Sequence, residues 1–84
     1  MAVTVKFFAS VREAVGASSE ALYLPASVKT VGDLRAYLAG RGDSWHQALG
    51  SPALRMACNQ VMCGADAALV DGAEVAFFPP VTGG

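Results

Sequence analysis

Asp71-Gly72-Ala73-Glu74-Val75-Ala76-Phe77-Phe78-Pro79-Pro80-Val81-Thr82-Gly83-Gly84 reads as a turn, a strand, a stop and a stalk. Asp-Gly is a turn dipeptide, because aspartate bonds its own backbone and glycine accepts positive φ. Val75 and Phe77 then alternate with Glu74, Ala76 and Phe78, the period of a half-buried strand. Pro79 and Pro80 fix φ and lack an N–H, so the strand cannot continue through them. The four residues beyond reach roughly 13–14 Å when extended. The last two carry no side chain, so a narrow active site could admit them, and nothing on the final Cα hinders attack at its carbonyl. Residues 1–80 are therefore expected to form one domain and residues 81–84 a flexible tail. The carboxylate of Gly84 is expected to be the reacting group.

Working outward, residues 3–8 form a matching strand, with Val3, Val5 and Phe7 on one face and Thr4, Lys6 and Phe8 on the other. A short helix over 10–15 follows, with Ser10 as N-cap, Glu13 in the capping-box position and Gly16 at its end. Residues 20–24 read as a second strand with Leu22 and Leu24 inward, closed by Pro25. Thr30 caps the main amphipathic helix, with Asp33 in the first turn and Val31, Leu34, Tyr37 and Leu38 along its apolar side. Gly40 and Gly42 end it. Asp43 or Ser44 caps a shorter helix carrying Trp45 and Leu49, stopped by Gly50 and Pro52. Residues 55–58 and 61–63 read as two short strands turning at Asn59-Gln60. The order is that of an α+β fold, a mixed sheet packed against one main helix. Parallel pairing of the first and last strands at the sheet centre makes it a β-grasp.

Composition excludes several classes. The chain has 84 residues, 54% of them hydrophobic, and a formal net charge of −1. The six basic residues are scattered, with no stripe to neutralise phosphates, so nucleic acid is not an expected partner. No apolar run approaches the roughly 20 residues that span a bilayer, and residues 1–6 lack a signal-peptide pattern. No membrane association and a cytoplasmic location are expected. Two cysteines, Cys58 and Cys63, are too few for a secreted disulfide framework or an iron–sulfur cluster. They read as reduced packing residues. His46 has no partner at a catalytic spacing and reads as a helix-surface residue. No metal site is expected.

Two aromatics break the pattern. Phe8 shares a face with Thr4 and Lys6, and Phe78 shares one with Glu74 and Ala76. If the polar neighbours mark solvent, both point away from the core, each at the carboxyl end of its strand. With the strands adjacent and parallel they lie side by side, and Met62 can complete an apolar patch at the root of the stalk. A contiguous exposed patch on a small domain marks a partner surface.

These residues resemble the small, sulfur-carrying subunits of molybdopterin synthase, the MoaD type, among the ubiquitin-like β-grasp sulfur carriers. The resemblance covers the whole chain. It is tightest over Val5-Lys6-Phe7-Phe8-Ala9 with Val11-Arg12-Glu13, at Asn59-Gln60, and over residues 69–84. Departures fall mainly within residues 18–57. The resemblance implies that an E1-like adenylating enzyme uses ATP and Mg to adenylate Gly84, and that a persulfide sulfur donor converts it to a thiocarboxylate. No cofactor is implied to stay bound. The tail would then thread into the large catalytic subunit of molybdopterin synthase and pass sulfur to a cyclic pyranopterin, building the dithiolene of the molybdenum cofactor. The resemblance assigns Gly84 as reacting residue, Gly83, Thr82, Val81, Pro80 and Pro79 as the threading segment, and Phe8, Met62 and Phe78 as the synthase interface. It also implies a heterotetramer of two small and two large subunits, with acid–base groups on the partner, so that this chain alone does not turn over substrate. The alternatives are a thiocarboxylate carrier for another pathway such as thiamine thiazole, a ubiquitin-like protein modifier, and a plain structural module.

Overall fold

The structure is a computed structural model and describes residues 1–80. Strand β1 (Ala2–Phe7) leads into helix α1 (Ala9–Val15) and strand β2 (Ser19–Tyr23). Helices α2 (Val31–Ala39) and α3 (Asp43–Leu49) follow. Then come β3 (Arg55–Cys58), β4 (Val61–Cys63) and β5 (Glu74–Phe78). The strands form one mixed sheet in the order β2-β1-β5-β3-β4. Only β1 and β5 pair in parallel, in the register Thr4–Glu74, Val5–Val75, Lys6–Ala76 and Phe7–Phe77. The expected β-grasp architecture is present, with the first and last strands side by side at the centre.

Alternation decides which sheet face is buried. Val3, Val5, Phe7, Val75 and Phe77 all lie in the core with Val11, Leu34, Leu38 and Leu49 from the three helices. The Phe7 and Phe77 rings stack at 6.4 Å, and Trp45 of α3 meets Phe7 edge-on at 5.5 Å. The opposite face carries no helix, and Thr4, Ala21 and Tyr23 are exposed on it.

Helix α2 starts as its sequence directs. The Thr30 hydroxyl accepts the Asp33 N–H at 3.0 Å, while the Asp33 carboxylate accepts the Thr30 N–H at 3.2 Å and the Lys29 N–H at 3.0 Å. This reciprocal capping box satisfies donors that a helix N-terminus otherwise leaves open. Val31, Leu34 and Leu38 are fully buried, but Tyr37 turns to solvent, 43% exposed. The apolar stripe is thus narrower than the sequence pattern suggests.

Two other helix starts differ from expectation. Ser10 does not cap α1; Phe8 occupies the N-cap without a side-chain bond. The Phe8 N–H still extends the sheet, donating to the Phe77 carbonyl at 3.2 Å, while its own carbonyl accepts from Val11 and Arg12. Ala9, at φ 53°, makes the change of direction in a single residue, so the helix begins before Ser10. In α3 the N-cap is Gly42, and Asp43 sits in the first turn, where its charge favours the helix dipole. Strand β2 also begins one residue earlier than read, with Leu24 buried just past its end.

A polar clasp closes the sheet margin over the helices. Arg41 donates to both carboxylate oxygens of Glu20 at 2.8 and 2.6 Å, and its guanidinium lies 4.7 Å from the Trp45 ring centre. That pairing, more than the opposing effect of partial burial, lowers the Glu20 pKa from its ordinary value. At the turn before β5, Gly72 adopts φ 84°, donates its N–H to the Ala2 carbonyl at 2.7 Å, and Asp71 accepts the Ala2 N–H.

The Asp33 carboxyl lies below its ordinary pKa, chiefly because it accepts the Lys29 N–H and then the Thr30 N–H. A lowered folded-state pKa contributes stability above the unfolded value, and that contribution is lost as pH falls through the folded one. Asp33→Asn is therefore expected to flatten the acid limb of the stability–pH curve relative to wild type. Urea unfolding at stepped pH from neutrality down through the carboxylate range checks this; parallel acid limbs would count against the capping box.

Candidate functional site

Strand β5 ends at Phe78, Pro79 is half-buried and Pro80 is exposed. The stop expected from the sequence thus occurs where the two prolines begin. Gly84, Gly83, Thr82 and Val81 lie outside the described residues. Pro79 and Pro80 follow directly on the central strand β5 and border, with α1 and α3, a cleft of about 300 Å³.

The cross-sheet register places the aromatic pair. Because Phe7 faces Phe77 in a parallel ladder, the next residues on the two strands, Phe8 and Phe78, follow at the same sheet end. Phe8 is extended, at φ −122° and ψ 150°, so the alternation carries it to the open face. It is 45% exposed. Phe78 is half-buried, because β5 is flanked by strands on both sides and Arg55 of β3 lies opposite. Met62, 58% exposed, falls in the neighbouring row. That row runs Lys6, Ala76, Ala57, Met62 across four strands. Ala76 and Ala57 put little bulk between Phe78 and Met62, and the exposed Arg55 stands beside Phe78 on the same face. A Lys6–Glu74 ion pair at 3.5 Å borders it; an exposed pair of this kind contributes little to stability.

The hairpin beside Met62 turns as expected at Asn59-Gln60. Both residues have positive φ, 51° and 68°, the geometry of a tight type I′ turn, where Asn-Gly is the favoured pair. Asn59 is anchored: its side chain accepts the Glu74 N–H at 3.0 Å and its N–H donates to the Glu74 carbonyl at 2.7 Å. Gln60 has no such tie among the described residues. A residue with a Cβ in this region costs about 1–2 kcal/mol. Ala9 is the remaining non-glycine residue with positive φ among those described. Sequence reading missed both strained positions. Asn59 announces a left-handed turn, but neither alanine nor glutamine does.

Cys58 and Cys63 are free, half-buried and packed against the core. Burial pushes the Cys63 thiol above its ordinary pKa, and Cys58 and Asp66 act in the same direction, so it stays protonated and a weak nucleophile. His46 is exposed on α3. Among the described residues, no group of three His, Cys, Asp or Glu is placed to hold a metal ion, and no helix is long and apolar enough to cross a membrane.

The ThiS family pattern matches residues 5–84. The chain belongs to the ThiS family. It is 48% identical over 82 residues to the molybdopterin synthase sulfur carrier subunit of Escherichia coli (strain K12), a match that covers 98% of this chain and 99% of that protein. Among solved structures it is similar to SAMP1 from Haloferax volcanii, with TM-score 0.77, 28% identity and full coverage of both chains. It is also similar, with TM-score 0.70, 26% identity and full coverage of both chains, to a chain in the complex of subunits 1 and 2 of molybdopterin-converting factor from Helicobacter pylori 26695. The resemblance read from the sequence is borne out.

The face assignment has a direct check. Met62→Ser is expected to change the unfolding free energy by no more than about 0.5 kcal/mol, as for other exposed positions. Phe77→Ala, on the buried face, is expected to lose about 3–5 kcal/mol. Urea titration of both variants measures this, and a large loss at Met62 would place it in the core.

Proposed function

We propose that this chain is the sulfur carrier subunit of a molybdopterin synthase, with the carboxylate of Gly84 as its working group. The observation that carries this reading is the 48% identity to a named sulfur carrier subunit across 98% of the chain. The geometry supports it. The central strand β5 is stopped by two prolines at the sheet end where Phe8 and Phe78 lie.

A carboxylate is a poor acyl donor because its oxygen leaves badly. An E1-like enzyme would use MgATP to adenylate Gly84, making AMP the leaving group and releasing pyrophosphate. A persulfide sulfur donor then displaces AMP, and cleavage of the resulting sulfur–sulfur bond by a thiol leaves a thiocarboxylate. The threading segment, Pro79 and Pro80 followed by Val81, Thr82 and Gly83, carries that sulfur into the large catalytic subunit. There it attacks the cyclic pyranopterin, and two rounds complete the dithiolene. Phe8, Phe78 and Met62 grip the large subunit outside the active site. The absence of charge on these three side chains suits an interface core, which is depleted in charged residues and enriched in aromatics and Met. All of these steps belong in the cytoplasm.

A second reading has an observation in its favour: the chain is also similar to small archaeal modifier protein 1 of Haloferax volcanii, with 26% identity and TM-score 0.75 over 95% of this chain and 98% of that one. An activated Gly84 could acylate a lysine amine instead of accepting sulfur. Intact mass after incubation with the adenylating enzyme, ATP and a sulfur donor separates the two. Sulfur carriage predicts a gain equal to the difference between sulfur and oxygen at the chain end. Stable adducts on protein lysines would instead favour the modifier. Deleting Gly84, or adding a residue after it, should abolish pterin sulfuration while leaving the thermal midpoint unchanged; sulfuration by the extended variant would overturn the mechanism.

The grip is tested separately. Phe78→Asp is expected to weaken binding to the large subunit far more than it lowers folding stability, measured by titration calorimetry beside urea unfolding. Equal losses in the two would make Phe78 a core residue instead of a contact.

A further inference from the structure

Gln60 occupies the second position of a tight turn at φ 68°, where glycine has no steric penalty and glutamine does. Among the described residues none bonds a side chain there. Asn59 already ties the hairpin to β5 through both its side chain and its backbone N–H. Gln60 is exposed, and its carboxamide makes no hydrogen bond to any described residue. Met62, two residues on, is 58% exposed in the open-face row with Ala57 and Ala76, so Gln60 lies in the turn that borders the apolar patch. Ala9, also left-handed where β1 gives way to α1, directly follows Phe8 at the patch's opposite end. Conformational strain of this type gathers where a fold holds side chains for use. Here it brackets the proposed contact surface.

We propose that Gln60 is a partner-recognition residue, whose carboxamide hydrogen-bonds an exposed peptide group of the large synthase subunit at the polar rim around Met62. A carboxamide offers a donor and an acceptor together, which matches the N–H and C=O of a peptide unit. Polar rims around apolar centres are the usual layout of such interfaces. This inference rests on the carrier reading given above, and adds to it a residue that fixes orientation on the partner.

The test is the pair Gln60→Gly and Gln60→Ala, read for both stability and binding to the cognate large subunit by titration calorimetry. Gln60→Gly removes the strain and should raise the thermal midpoint by roughly 4–8 °C. Both variants remove the carboxamide and should weaken binding about three- to tenfold. A residue of purely structural importance would move stability and binding in the same direction, whereas recognition predicts opposite signs for Gln60→Gly. If Gln60→Gly binds as tightly as wild type, the proposal is overturned while the carrier reading stands. If wild type itself fails to bind the large subunit, the carrier reading falls and this proposal falls with it.

Discussion

Parallel pairing of β1 with β5 is the constraint on which the rest depends. Two strands nearly the whole chain apart exchange a ladder that runs from the Thr4 N–H on the Ala73 carbonyl, at 2.9 Å, to the Phe8 N–H on the Phe77 carbonyl, at 3.2 Å. Everything between them is in effect one long crossover, folded into three helices, the edge strand β2 beside β1 and the β3–β4 hairpin at the other sheet edge. Parallel strands need such a connection because a tight turn cannot join them. The loop-closure cost is offset by a ladder whose inward residues, Val5, Phe7, Val75 and Phe77, are buried to 1% exposure or less.

The same register sets the apolar patch on the open face. Successive side chains on a strand face opposite sides, so a slip of one residue would exchange the two faces completely. Phe7 and Phe77 would then lie in water and Phe8 and Phe78 in the core. The stacking of Phe7 on Phe77 and the edge contact from Trp45 hold the register against that exchange. Packing on one side of the sheet therefore determines which apolar groups are presented on the other. The prolines end the strand at the same end of the sheet where the aromatic pair appears.

Polar satisfaction is complete in the described interior, where no buried side-chain nitrogen or oxygen lacks a partner. The departures from ideal geometry lie instead at the surface, at Ala9, Asn59 and Gln60. Asn59 turns its left-handed conformation into two bonds with Glu74. Ala9 converts a strand into a helix within one residue, and so keeps Phe8 extended and outward. The sequence-based assignment of Ser10 as the N-cap failed for this reason: the Phe8 N–H was already engaged by β5, a partner nearly seventy residues away.

Local pattern determined most of the architecture. The alternation in β1 and β5, the Thr30–Asp33 box, the Asn59-Gln60 and Asp71-Gly72 turns and the proline stop each depend on neighbours in the chain, and each appears where it was expected. The outward assignment of Phe8 and Phe78 was legible too, because period two is a property of the strand itself. What only the tertiary structure decided were the effects of distant partners. These include the half-burial of Phe78 between flanking strands, the exposure of Tyr37, the pairing of Arg41 with Glu20, the row that brings Met62 toward Phe78, and the left-handed turn at Ala9. Each results from packing and hydrogen bonding between segments far apart in the chain, which no local period or propensity encodes.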